Sequence, residues 1–268
     1  MTDTLAAFTK IINQICAEDN IRIEHFSEGW AMHLAKADKS AVIYWRDFGL
    51  NNSSAYRLIC DKSALSQFLT LNGVANIPHS FFGAPIKPWN NGADNYPKIL
   101  ELLHEHRQLV CKDNLGTSGY LVYRCQTEPE LRAAVDAIFS QGCDLAVSPF
   151  VEIQNEYRLV MLDGRTELVF AKQRQNGQWK SNLGLGAMAV IETDPGIIKS
   201  LGKIAVDVCK LLDLRFVSVD IVNVDSNYQV LEINGGVSMC HFAGQNPDNY
   251  RMAKQIYRKA IYKALGLE

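Results

Sequence analysis

Leu5, Phe8, Ile11, Ile12 and Ile15 recur at helical spacing, and this apolar stripe predicts an amphipathic helix over residues 3–18. Residues 41–45, Ala-Val-Ile-Tyr-Trp, read as a short buried strand. Asp61 can cap a helix running to Leu71 with Leu65, Phe68 and Leu69 turned inward. From Pro78 to Pro97 the apolar rhythm breaks at Pro85, Pro88, Asn90, Asn91 and Gly92, which predicts a loop or linker.

Beyond it, residues 99–106 read as a helix, and 109–112 and 120–123 as two strands of a hairpin turning at 116–119. Thr127 and Glu130 form a capping-box pattern that opens a helix buried along Leu131, Val135 and Ile138. Strands follow at 145–147, 157–162 and 167–173, the last two joined by an Asp-Gly turn at 163 and 164. Asp194-Pro195 starts a helix, residues 216–222 and 228–233 make another hairpin, and a final helix spans about 248–265. Hairpins alternating with single helices predict an antiparallel α+β body.

The 268 residues are 47% hydrophobic and 21% charged, enough apolar material for a sizeable core and too much for a disordered or fibrous chain. With 27 Lys+Arg against 29 Asp+Glu, no bulk field favours nucleic acid or an anionic membrane. Any bound phosphate must be held by a few placed groups. The seven scattered cysteines form no C-x-x-C pair, which argues for reduced thiols and a cytoplasmic location. The N-terminus lacks the layout of a signal peptide, and no apolar run approaches the length of a membrane span.

Two clusters carry chemistry. Lys112 ends a strand and is followed by Gly116, Thr117, Ser118 and Gly119, a turn whose amides, together with the ammonium, suit a polyphosphate. An ordinary hairpin turn fits the same pattern equally well, since it matches neither a Walker loop nor a dinucleotide turn. The second cluster is Asp220 on one strand of the late hairpin, with Glu232 and Asn234 projecting together from the other. Oxygens set among Val, Leu and Ile are costly to bury unless a cation satisfies them, and hard oxygen donors without His or Cys suit magnesium.

These clusters, in this order, resemble the ATP-grasp superfamily. Four further elements resemble it as well: Asp61-Lys62 leading to Gly73–Pro78; Glu156-Tyr157-Arg158 after Ser148-Pro149-Phe150-Val151; Lys172; and Ser181-Asn182 before Gly186. The subgroup most similar is the carboxylate–amine ligases of the RimK, glutathione synthetase and cyanophycin synthetase type. The resemblance implies two α+β lobes gripping ATP: residues 61–150 as a small lobe with a Gly-rich flap, 151–268 as a large lobe with the metal site, and 1–60 as a reduced N-terminal region. It implies nucleotide contacts from Lys62, Lys112, Gly116, Thr117, Ser118, Gly119, Ser148, Phe150, Val151 and Glu156. Catalytic roles fall to Arg158, Lys172 and Asn182, and two magnesium ions, replaceable by manganese, to Asp220, Glu232 and Asn234. Gly235, Gly236, Ser238 and His241 would form the substrate loop.

The activity implied is ATP-dependent joining of a small carboxylate to an amine, through an acyl phosphate, with an amino acid or small peptide as substrate. A phosphotransferase on the same fold and a non-catalytic nucleotide-binding module are the alternatives, the second disfavoured by the intact metal set. The short N-terminal region leaves one wall of the substrate pocket to be explained, and a homo-oligomer would be one way to supply it. The other histidines, His79 among them, read as surface or satisfied core residues, Cys240 as a pocket-lining thiol, and Tyr250, Tyr257 and Tyr262 as packing.

Overall fold

The computed structural model describes residues 3–267 apart from Asn91 and Ala93, so Asn91 of the expected loop lies outside the described residues. The chain divides into two compact units: Met1–Tyr56, Glu156–Asp220 and Ile233–Glu268 form the first, and Arg57–Asn155 with Ile221–Glu232 the second. The division falls inside two strands of the late hairpin, one of which carries Asp220 and the other Glu232.

The first unit begins with α1 (Asp3–Glu18), whose stripe of Leu5, Phe8, Ile11, Ile12 and Ile15 is fully buried, as the periodicity predicts. The chain then forms an antiparallel meander of β1 (Arg22–Phe26), β2 (Ala31–Lys36) and β3 (Lys39–Tyr44). Only the last of these was visible in the sequence. In β1 every residue except Ile23 is exposed, so no alternation marks it. The expected buried strand at 41–45 is instead the edge strand β3, with Ile43 inside while Val42 and Tyr44 face out. The helix α2 (Ser53–Cys60) follows.

Asp61 caps α3 (Lys62–Leu71) by accepting the Ala64 N–H, and Leu65 and Leu69 are buried. The Pro- and Asn-rich stretch is not all loop. It holds β4 (Ser80–Phe82), too short for a period-2 signal, which pairs with β7 (Leu145–Pro149). Between them run α4 (Tyr96–His106), β5 (Leu109–Asp113), β6 (Val122–Cys125) and α5 (Glu128–Ser140). The strand order is β4-β7-β5-β6, and α5 opens on the predicted Thr127/Glu130 capping box. The hairpin is present, with β6 two residues later than expected. Ile99, Leu109, Cys111, Leu131, Ile138 and Leu145 are among the side chains of this unit's core.

The remaining elements are β8 (Asn155–Leu162), β9 (Arg165–Gln173), β10 (Met188–Ile191), α6 (Pro195–Leu212), β11 (Phe216–Val224), β12 (Asn227–Asn234), α7 (Cys240–Ala243) and α8 (Pro247–Ala264). Their sheet runs β10-β9-β8-β11-β12. The pairs β1–β2, β2–β3, β4–β7, β5–β6, β5–β7, β8–β9 and β9–β10 are antiparallel, in line with the α+β expectation. Within the first unit, Phe8, Phe48, Phe216 and Tyr257 meet edge to face or stacked, so residues from α1 and α8 share one core. Each such buried side chain contributes about 1.5–3 kcal/mol relative to exposure.

Candidate active site

The geometry is clearest in the first unit. Glu156 and Arg158 are two residues apart on β8 and therefore share a face, and the β8–β9 register places Tyr157 opposite Ala171, hence Glu156 beside Lys172. The Lys172 ammonium reaches the Glu156 carboxylate at 2.6 Å and Asp220 at 2.8 Å. The Arg158 guanidinium grips Asp220 with a fork of Nε and Nη2 donors at 2.7 and 2.6 Å. Asp220 is wholly buried in β11, where an unpaired carboxylate would be prohibitive. Two cations and two carboxylates thus form one neutralised network, assembled by strand alternation and register.

Two loops of the same unit carry further expected residues. Asn182 accepts the Gly184 N–H at 2.7 Å and starts the turn through Gly186. A Cβ on Gly184 would lie 3.1 Å from His241 Nε2, so glycine is what lets this turn approach His241. Burial, and then the nearby Arg46 charge, pull the His241 imidazole below its ordinary pKa. The Gly235–Ser238 loop is fastened by Tyr257, whose hydroxyl donates to the Val237 carbonyl and accepts the Met239 N–H. Tyr257 is packing, as expected, and also the anchor of the loop. Cys240 is buried and its thiol is pushed up chiefly by burial, which suits a lining role and not a nucleophile.

In the second unit, Lys112 on β5 places its ammonium 3.2 Å from His79 Nε2. His79 Nδ1 lies 2.8 Å from the Ile77 carbonyl, which can only accept, so Nδ1 carries the proton and the Nε2 lone pair faces Lys112. Burial, reinforced by the Lys112 charge, drives the imidazole well below its ordinary pKa and keeps it a lone-pair donor. His79 is thus a satisfied core histidine, as expected, and what the sequence did not show is that its second nitrogen faces Lys112. The one available sequence signal was its position, directly after Pro78.

Lys62 belongs to the same unit and is no solvated helix-end residue. Its ammonium donates to the carbonyls of Gly116 and Asn114, tying α3 to the start of the flap, and burial lowers its pKa against the pull of Glu232. Asn114, itself buried, accepts from both the N–H and the hydroxyl of Ser63. A Cβ on Gly116 would sit 2.8 Å from the Asp113 Cβ, so the turn requires glycine there. Thr117 and Ser118 are exposed, with Ser118 in the left-handed region at φ 60°. Ser148 is buried in β7, while Phe150 and Val151 are half-buried just beyond it. The Arg124 guanidinium lies 3.7 Å from the Phe150 ring centroid.

The donor set expected for magnesium is tested by its chemistry. Among the described residues no three His, Cys, Asp or Glu side chains gather as a metal site. Two carboxylates and an amide do not need such a triad, and their hard oxygens fit magnesium. Ser218 lies on the Asp220 face of β11, two residues away, and its buried hydroxyl has no hydrogen-bond partner. Lys172 and Arg158 hold Asp220 in this structure, so the carboxylate is positioned by cations.

The two α+β units and their sheets are those of an ATP-grasp fold. A family model for the RimK-like ATP-grasp domain matches residues 82–256, and the chain belongs to that family. A curated relative, the probable α-L-glutamate ligase of Psychromonas ingrahamii, is 24% identical over 191 residues, which are 70% of this chain and 59% of that protein. That of Aeromonas salmonicida is 26% identical over 188 residues, again 59% of its length. The chain thus spans less than two thirds of the curated relatives it matches. Among solved structures, D-alanyl-alanine synthetase A from Vibrio cholerae aligns with a TM-score of 0.70 at 13% identity, covering 98% of this chain and 94% of that one. These structural likenesses bear on the fold.

Proposed function

We propose that this protein is an ATP-dependent carboxylate–amine ligase. The observation that carries the reading is the Glu156–Arg158–Lys172–Asp220 network: paired cations and carboxylates on adjacent strands, groups suited to holding phosphoryl and acyl oxygens. Residues 61–150 then serve as the nucleotide lobe with its flap, 151–268 as the lobe with the metal ligands, and 1–60 as a reduced N-terminal region.

In this reading Lys112, oriented by His79, binds nucleotide phosphate oxygens. Lys62 fixes the root of the 116–119 flap, which closes over the nucleotide and excludes water from the acyl phosphate. Ser148, Phe150 and Val151 border the base. Lys172 binds phosphate, and Arg158 stabilises the charge that develops as an amine attacks the activated carbonyl, a task of placed charges and not of a protein nucleophile. Asn182 steadies the incoming groups. Asp220, Glu232 and Asn234 would hold magnesium, which supplies charge neutralisation on phosphate oxygens when bound. The substrate is an amino acid or small peptide, and the names of the curated relatives make L-glutamate the first amine to try.

The test is a panel of amino-acid and dipeptide pairs incubated with ATP and magnesium, scored for ADP and free phosphate, with mass spectrometry of the product. The ligase reading expects turnover only when a carboxylate and an amine are both present, and an amide in the product. A phosphorylated product without free phosphate would make the protein a phosphotransferase, and absence of turnover from every pair would count against both.

A further inference from the structure

Arg46 follows β3 and is only 5% exposed, yet its Nε–H has no hydrogen-bond partner. None of the ion pairs seen among the described residues engages it, whereas the other deeply buried cation of this unit, Lys172, meets two carboxylates. Its company is aromatic and neutral. The guanidinium carbon lies 4.0 Å from the Trp45 ring centroid and 5.9 Å from that of Phe8, and Trp45 stacks on Trp30 at 4.2 Å with the planes 21° apart. The thiol of Cys240 is within hydrogen-bonding reach of the guanidinium. Cation–π attraction offsets part of the cost of burying the charge, but the aromatic faces leave the in-plane Nε–H unmatched among the described residues.

The place is as informative as the imbalance. A Cβ on Gly236 would lie 3.6 Å from the Arg46 Cβ, 3.8 Å from Trp45 and 3.8 Å from the Tyr56 hydroxyl, so the Gly235-Gly236 turn crosses directly over the Arg46 stem. The Arg46 charge also reaches His241, which abuts the Asn182–Gly186 turn, and Tyr257, which anchors Val237 and Met239 and also feels Arg158. An under-satisfied guanidinium therefore lies beneath the loop assigned to substrate, within the electrostatic neighbourhood of the proposed catalytic arginine.

We propose that Arg46 is a specificity-determining residue that pairs, through its fork of N–H donors, with a free carboxylate of an amino-acid or peptide substrate. Trp45 holds the guanidinium plane, and the Gly235-Gly236 turn presents the ligand to it. A planar fork matches a carboxylate in a way that a lysine ammonium does not. The inference rests on the ligase reading for the identity of the loop. It also supplies a substrate wall from residues 1–56, the region that looked too short to provide one.

The test is equilibrium binding, by calorimetry, of matched acids and carboxamides: L-glutamate against its α-carboxamide, and D-alanine and L-alanine against their amides. Wild type is expected to bind at least one acid about tenfold or more tightly than its amide. Arg46→Gln should bind the two alike, and Arg46→Lys should fall between. If Arg46→Gln fails to fold, a lowered acid-to-amide ratio in Arg46→Lys carries the same decision. No acid binding to wild type, or undiminished discrimination in a folded variant, overturns the proposal. Discrimination that depends on Arg46 without amide formation by any pair would sink the ligase reading alone, and amide formation indifferent to Arg46 would sink this one alone.

Discussion

The two units hold Lys172 on one side and Lys112 and Lys62 on the other in different ways. In the first, Lys172 is met by Glu156 and Asp220, and Asp220 is gripped again by Arg158. In the second, Lys112 faces the lone pair of a neutral His79, and Lys62 faces backbone carbonyls. The first arrangement neutralises charge with charge in a buried place, so each member depends on the others for its solvation. The second sets an ammonium against an imidazole lone pair and backbone carbonyls. One network should therefore show itself first in stability, and the other in nucleotide binding.

The sharpest way to break that contrast is Asp220→Ala. It strands Arg158 and Lys172 without their shared partner and should lower the unfolding free energy by about 3–5 kcal/mol, measured by urea denaturation. Turnover should vanish as well. A variant of wild-type stability would show that water already solvates the pair.

Lys112→Ala comes next, with the opposite signature. It should reduce kcat/KM for ATP on the order of 100-fold while the urea midpoint moves little. Unchanged ATP affinity would remove Lys112 from its assigned role.

His79→Leu should weaken nucleotide binding by about tenfold, with His79→Gln restoring part of it, because a carboxamide oxygen can accept from the ammonium where a methyl cannot. The same residue predicts a pH dependence. Its folded pKa lies well below the ordinary 6.5, so below that pH the unfolded chain binds the proton first. Stability is then lost as pH falls from 6.5 towards the folded pKa, by up to about 1.4 kcal/mol per pH unit. A stability–pH curve for His79→Gln should lack that part of the slope.

The smallest effect serves as the control. Thr127→Ala removes a cap remote in sequence from both sets of lysines and should cost roughly 1 kcal/mol without altering ATP affinity. An affinity change there would mean that the second unit responds to ligand as a whole, blurring the contrast.

Much of this was legible from residue order. The α1 stripe, the Asp61 cap, the Thr127/Glu130 box and the E-x-R alternation on β8 all depend on neighbours within a few positions, where helix and strand periods act. The same periodicity failed for β1, where all but one residue face water, and for β4, whose three residues cannot display a period.

The side-chain pairings came from elsewhere. His79 meets Lys112 across 33 positions, and Arg158 meets Asp220 across 62. The motif resemblance had named Arg158 and Asp220 without joining them, and had named neither His79 nor Arg46. Sequence by itself determined the longer elements, the family and the residue types able to grip phosphate, because those are written in local spacing and ordered motifs. Tertiary structure decided which cations are neutralised, which tautomer His79 adopts, and that Arg46 lies under the Gly235-Gly236 turn with no ion pair among the described residues. Solvation and Coulomb energy depend on what surrounds a group in space, and only folding brings those distant side chains together.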